Sequence, residues 1–391
     1  MPRTPGHPAL TPFGTTVFAE MTALAQQHDA VNLGQGFPDS DGPPEMLEAA
    51  CRAIHDGLNQ YPPGPGMPVL REAIAEHQSR FYGLTVDPGS EVQVTVGATE
   101  AIASTILALV RPCDEVVVLE PYYDSYAATI ALAGGVRRTS ILRFPDFAVD
   151  EASLRAAFSE RTSVVLLNSP HNPTGRVLSR ADLELVAELA REHDAWVVCD
   201  EVYEHLTFDG VEHVPMATLP GMRDRTVTIS SAGKTFSATG WKVGWLTGPA
   251  HVVAAVRQIK QFTTFAHSGP FQVGVATALA LPTERYAELA STLQTRRDLL
   301  VDGLCSAGLD VSVPAGTYFA VADVAPLGGT DAMAFCRRMP EELGVAGVPV
   351  AAFHDDTEAA RSLVRFAFCK QEGVLREAAR RLTRRVPVDR P

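Results

Sequence analysis

The chain has 391 residues and a net charge of −13, from 33 Lys and Arg against 46 Asp and Glu. It is too long for one small core, and at roughly 150 residues per domain it divides into two or three. The acidic balance disfavours nucleic acid and anionic membrane as partners and favours small-molecule chemistry.

In chain order, the first 30 residues read as a proline-rich arm and one amphipathic helix, too short for a DNA-binding module. The start, "MPRTPGHPALTPFGTT", has no apolar h-region, and no later run approaches a membrane span. The cysteines Cys51, Cys113, Cys199, Cys305, Cys336 and Cys369 form no C-x-x-C pair, and no histidine cluster has zinc spacing. Neither a disulfide framework nor a metal site is expected, and the expected location is cytoplasmic.

Residues 31–283 carry short β-branched runs, "VQVTV" (92–96), "EVVVLE" (115–120), "SVVLLN" (163–168), "AWVVCD" (195–200) and "TVTIS" (226–230), separated by helical stretches such as "SRADLELVAELAREHDA". Strands apolar at nearly every position are buried on both faces. The expected fold is α/β: a large domain with a mainly parallel sheet flanked by helices. Over 284–391 a long charged helix, glycine-containing strands and a basic helix predict a smaller α+β domain.

In such sheets ligands sit beyond the carboxyl ends of the strands. Four predicted loops lie there: Gly97-Ala98-Thr99, "SPHNPTG" from 169, Asp200 to Tyr203, and Ser231 to Lys234. The last is open to three chemistries. Gly233-Lys234-Thr235 imitates the end of a P-loop, but the required earlier glycine is Thr228. Ser231-Ala232-Gly233-Lys234 matches the S-x-x-K of serine hydrolases, without the S-D-N or K-T-G partner motifs. The third is a Schiff base between a lysine and pyridoxal 5'-phosphate.

That cofactor needs an escort, and each part has a residue to supply it. Asp200 can hold the pyridine nitrogen, Asn172 and Tyr203 the ring hydroxyl, and the 97–99 amides with Ser231 and Lys242 the phosphate. Each has a plainer alternative. Asp200 can cap a turn, Asn172 make an Asx turn, Tyr203 fill the core, 97–99 be a simple strand-to-helix turn, Ser231 a turn hydroxyl, and Lys242 a solvated cation. Together they favour the cofactor. Arg365 in "RSLVRFAFCK" sits mid-strand among apolar neighbours, where a guanidinium must be paired. It either makes an internal ion pair or offers its planar fork to a carboxylate.

The motifs "NLGQGFPD", "NQYPPGPG", "EPYYDSY", "SPHNPTG", "DEVYEHLTFDG", "SAGKTFSATGWKVGW" and "VRFAFCK" stand in the order found in fold-type-I, class I aminotransferases. From about residue 14 to 383 the chain resembles the kynurenine/glutamine/methionine aminotransferase subgroup and, within it, the actinobacterial branch of N-succinyldiaminopimelate aminotransferases. The resemblance implies that Lys234 carries the cofactor, Asp200 pairs with its ring nitrogen, Asn172 and Tyr203 contact its hydroxyl, and Tyr123 stacks on its face. It implies that Ser231, Lys242, Ala98 and Thr99 hold the phosphate and that Tyr61 reaches the phosphate of a neighbouring subunit, making a homodimer with shared sites. Arg365, with the Gly36 amide, would clamp the substrate α-carboxylate.

Two positions depart from family patterns, and the second bears on substrate. Lys242 stands where aspartate aminotransferases have arginine, and Thr99 where kynurenine enzymes tend to carry an aromatic residue. The segment "FTTFAHSGPF" contains no arginine for a distal carboxylate, and Phe18, Tyr123 and Phe265 are expected to line an apolar pocket. The expected reaction moves an amino group between an amino acid and a 2-oxo acid, with glutamate and 2-oxoglutarate as exchange pair. N-succinyldiaminopimelate or a neutral or aromatic amino acid is the expected partner substrate. The alternative is a cysteine-S-conjugate β-lyase on the same scaffold.

Overall fold

Valines at both odd and even positions of one strand send apolar side chains to both faces of a sheet, so such a strand needs a helical layer on each side. The computed structural model describes residues 6–13 and 17–384; the ends of the predicted arm and of the chain at 1–5, 14–16 and 385–391 lie outside the described residues. The strands of the first two-thirds are β1 (Val31–Asn32), β2 (Val92–Val96), β3 (Glu115–Glu120), β4 (Val136–Ile141), β5 (Thr162–Asn168), β6 (Trp196–Asp200), β7 (Thr226–Ser231) and β8 (Val243–Thr247). Seven of them form one sheet in the order β2-β8-β7-β6-β5-β3-β4, in which only β8 runs against the rest.

On one face Val116, Val118, Val164 and Leu166 pack with the helices Gly97–Leu109, Asp124–Leu132 and Ala250–Thr263. Their neighbours Val117, Leu119, Val165 and Leu167 pack on the other face with the helix Arg180–Glu192. That helix starts where Ser179 and Asp182 make a reciprocal capping box. Two strands of this sheet escaped the sequence reading. β4 is an edge strand carrying Arg137 and Arg138, half exposed along most of its length. β8 contains Gly244, which reads as a weak strand position. The glycine is needed there, because a Cβ at 244 would lie 2.5 Å from the Gly97 carbonyl carbon and 2.7 Å from the Ala98 nitrogen.

The remaining strands are β9 (Asp310–Ser312), β10 (Phe319–Asp323), β11 (Val345–Ala346), β12 (Val348–Pro349) and β13 (Leu363–Ala367). Four make an antiparallel sheet in the order β12-β13-β10-β9. β1 pairs in parallel with β11, and the helix Val17–Gln27 packs on the helix Ala332–Leu343, so N-terminal residues build onto this second layer. This is the mainly parallel α/β sheet with a small antiparallel α+β unit that the sequence predicts. No described helix is long and apolar enough to cross a membrane.

Candidate active site

The parallel strands end together, and the registers Asn168 opposite Asp200 and Ser231 opposite Gly244 bring their last residues to one rim. β8, running the other way, starts at that rim and delivers Lys242. A cavity of about 200 Å³ lies there, lined by Ala98, Thr99, Tyr123, Asn172, Asp200, Tyr203, Ser231, Lys234 and Lys242 among others. Nine residues singled out from the sequence therefore share one cavity. The loops do not all survive: β2 passes directly into the helix Gly97–Leu109, and β7 into the single turn Ala232–Thr235.

Lys234 ends 5.8 Å from the Tyr203 ring centre and 5.7 Å from that of Tyr318. Burial pulls its ammonium down to about 8, against the attraction of Asp200, and no carboxylate pairs with it directly among the described residues. Asp200 is buried at the end of β6, where desolvation pushes its carboxyl up to about 6 despite the donors it has. Those are the Tyr126 hydroxyl at 2.6 Å and the Val202 amide at 3.3 Å. A buried acid with so high a pKa and an amine with so low a one are each short of an opposite charge. No side-chain hydrogen bond joins Ser231 to Lys234 among the described residues, so the Ser–Lys pairing of a hydrolase is not formed here.

The helix Gly97–Leu109 has no side-chain cap at its N-terminus. Glu100 satisfies the Val96 amide at 2.6 Å, leaving the next amides directed at the cavity. Gly97 sits at φ +72°, a backbone conformation that favours glycine, and a Cβ there would only just touch Lys242, 3.6 Å from its Nζ. Lys242 itself adopts φ +56°, an uncommon conformation for a lysine. Backbone amides, the Lys242 cation and the Ser231 hydroxyl make a cradle suited to a phosphate.

Arg365, mid-strand in β13, is buried and does not line this cavity. It donates through Nη1 to Asn172 Oδ1 at 2.9 Å and through Nη2 to the Gly34 carbonyl at 3.0 Å, while its Nε–H has no partner. Burial draws it down to about 10; the Asp124 carboxylate feels its charge, but among the described residues no carboxylate forms an ion pair with it. Of the two readings open in the sequence, the internal ion pair is not what the fold builds. Gly36 lies against the Phe319 ring, where a Cβ would be 2.4 Å from Cζ, and its carbonyl accepts from the Tyr318 hydroxyl at 2.7 Å. Phe18 reaches Arg365, ring centre to guanidinium 5.2 Å. Phe265 and Tyr61 do not line the cavity: they pack on each other, centroids 5.7 Å apart, and Tyr61 is 86% exposed.

Sequence reasoning missed Tyr126 and Asn168. Tyr126 lies one helical turn after Tyr123, a spacing that puts both rings on one side of the helix Asp124–Leu132. Asn168 donates to the Asp200 carbonyl at 2.8 Å and accepts the Asn172 amide at 2.7 Å, so it ties two strand ends together. The fold also joins histidines that are remote in sequence: His77 and His205 meet Nε2 to Nε2 at 2.6 Å beside Glu204. Glu204 is already held by the Tyr82 and Ser230 hydroxyls, and burial drives both imidazoles to the neutral form.

A rim that offers a free amine, a charge-starved acid and an anion cradle is the equipment of a cofactor enzyme acting on amines, and the family comparison agrees. Residues 28–382 match the model for aminotransferase class I and II, and the chain belongs to that family, whose members use pyridoxal phosphate. It is 50% identical, over 98% of each chain, to the probable N-succinyldiaminopimelate aminotransferase of Mycobacterium tuberculosis, and 42% identical to the methionine aminotransferase of Escherichia coli, covering 95% of this chain and 96% of that one. The solved structure of N-succinyldiaminopimelate aminotransferase from Mycobacterium tuberculosis superposes with a TM-score of 0.94 at 50% identity, covering 97% of this chain and 99% of that one. The protein is thus a pyridoxal-phosphate-dependent aminotransferase, as its motifs suggest, acting on amino acids and 2-oxo acids.

Proposed function

We propose that Lys234 is the residue that carries the cofactor and moves the proton, and that Arg365 binds the substrate carboxylate. The observation that carries this reading is the buried Lys234 amine, its pKa lowered, in the cavity that also holds Asp200. Bound there, pyridoxal phosphate supplies an aldehyde that condenses with amines and a ring that accepts the electron pair released at the substrate α-carbon. Asp200 would hold the ring nitrogen protonated, Asn172 and Tyr203 would donate to the ring hydroxyl, and Tyr123 would cover the ring face. The amides of Ala98 and Thr99, with Ser231 and Lys242, hold the phosphate. The Lys234 amine would take the proton from the substrate α-carbon, and its lowered pKa keeps a useful fraction neutral near pH 7 to 8.

Arg365 and the Gly36 amide orient the α-carboxylate, which places the α-hydrogen toward Lys234. Phe18 and Tyr123 give the side-chain pocket an apolar wall, and "FTTFAHSGPF" brings no arginine. The substrate reading is therefore a longer neutral or aromatic amino acid, or N-succinyldiaminopimelate, exchanging with glutamate and 2-oxoglutarate. A second copy completes the site. Ile54, Leu58, Tyr61, Phe262 and Phe265 leave an exposed apolar band for a homodimer to cover, and Tyr61, the most exposed of them, would serve the neighbour's site.

Borohydride reduction followed by peptide mass analysis tests the assignment. The adduct is expected on Lys234, and Lys234→Ala is expected to lower turnover by about 10⁴-fold or more. An adduct on Lys242 overturns it.

A further inference from the structure

Arg365 has an unusual environment for a buried cation. Its two hydrogen bonds go to neutral oxygens, Asn172 Oδ1 and the Gly34 carbonyl, and Nε–H has none. What surrounds it instead is aromatic. Its guanidinium carbon lies 3.9 Å from the centre of the Phe319 ring, 5.1 Å from that of Phe353 and 5.2 Å from that of Phe18. The rings come from three separate parts of the chain, β10, the turn Val350–Phe353 and the helix Val17–Gln27.

Phe319 is itself fixed. It is buried, its ring is 4.8 Å from Tyr318 and 6.3 Å from Tyr203, and Gly36 leaves the space its edge occupies. Phe353 is fixed from the large sheet. Its carbonyl accepts the Tyr122 amide at 3.0 Å, and the buried Glu120 at the end of β3 gathers His354 Nδ1 at 2.9 Å and the amides of Asp355 and Asp356 at 2.8 Å each. A cation over an aromatic face in a desolvated site is attracted by the ring quadrupole without being neutralised. A carboxylate counter-ion in the same place would hold the guanidinium but would also occupy the charge that a substrate needs.

We propose that Phe319 is a positioning residue for substrate recognition: with Phe353 and Phe18 it forms an aromatic box that holds the Arg365 guanidinium charged and oriented without an ion-paired carboxylate among the described residues. The ligand class this serves is a carboxylate adjacent to the reacting amine. The inference rests on the reading of Arg365 as the carboxylate-binding residue. Without the Phe319 face the guanidinium keeps its two hydrogen bonds but loses the plane that fixes its tilt, so carboxylate binding suffers while the cofactor chemistry does not.

The test uses the holoenzyme and two probes, L-methionine as amino donor and 3-phenylpropionate as a carboxylate that cannot react. Phe319→Leu keeps an apolar side chain but removes the π face. It is expected to raise KM for the donor and the inhibition constant of 3-phenylpropionate together by about 10- to 30-fold, with saturated kcat and cofactor affinity within about threefold of wild type. Phe353→Leu, with its ring farther away, is expected to give the same pattern at about three- to fivefold, and it decides the matter if Phe319→Leu does not fold. Unchanged carboxylate inhibition in these variants, or a fall in kcat with carboxylate binding intact, overturns the box. Arg365→Lys separates the two levels. If it too leaves inhibition by 3-phenylpropionate unchanged, the reading of Arg365 fails. If it weakens inhibition while Phe319→Leu does not, only the aromatic box fails.

Discussion

The rim of the large sheet and the small antiparallel sheet hold charge in opposite ways. At the rim, groups of both signs face one cavity: Asp200 is pushed up to about 6 and Lys234 down to about 8 by the same burial, and neither has a direct ionic partner among the described residues. In β13 a single cation, Arg365, stands among three rings and two neutral acceptors. On the reading proposed above, the rim receives a ligand carrying both a cation and an anion, and the strand an anion alone. The difference teaches that cofactor binding and carboxylate recognition can be altered separately, except where one residue touches both.

Arg365→Ala breaks the second region with the largest expected effect. If two charge-assisted bonds to substrate are lost, each worth about 1.5–3 kcal/mol, kcat/KM should fall by roughly 10² to 10⁴. Steady-state kinetics with titrated cofactor checks this, and cofactor affinity should stay within a few-fold. A matching loss of cofactor would merge the two regions.

Asp200 sharpens the first region through pH. Its pKa in the free protein, about 6, lies above the ordinary carboxyl value, and a cationic ring nitrogen favours the ionised form. Binding therefore releases a proton below pH 6, and cofactor affinity should fall by up to about tenfold per pH unit beneath it. The sign for stability is the reverse. A raised carboxyl pKa stabilises the cofactor-free protein at low pH and the contribution is lost as pH rises through about 6. Cofactor-free Asp200→Asn should thus melt no lower than cofactor-free wild type above that pH, and thermal melts at pH 5 and 8 would show it. Tyr126→Phe is the mildest change. It removes the 2.6 Å hydrogen bond to Asp200 and should weaken cofactor binding by about five- to tenfold, read by fluorescence titration, while KM moves little.

Much of the rim was legible in the sequence because parallel strands announce themselves as apolar runs, and polar residues just beyond such runs must share one edge. That logic found Asp200, Asn172 and Lys234 from their positions alone. It could not find Asn168 or Tyr126, whose partners sit on other strand ends, nor β8, whose Gly244 reads as a break but is needed where the strand crosses the start of the helix Gly97–Leu109. At Arg365 the sequence showed a cation in an apolar strand and left its partner open. The rings that settle it lie 46 residues before it at Phe319, 12 before it at Phe353 and at the other end of the chain at Phe18, a meeting that only the tertiary fold sets. Tyr61 and Phe265 came out beside each other at an exposed apolar surface, where the sequence offered only the resemblance to place them.

Asn172 is the residue at which the two regions meet: it lines the cavity and its Oδ1 accepts from Arg365 Nη1 at 2.9 Å. Measuring cofactor affinity and donor KM together for Asn172→Ala tests the division most directly. Both should worsen, each by about tenfold, since one hydrogen bond is removed on each side. A loss confined to either quantity would contradict the placement of Asn172 as the link between a cofactor rim and a carboxylate clamp.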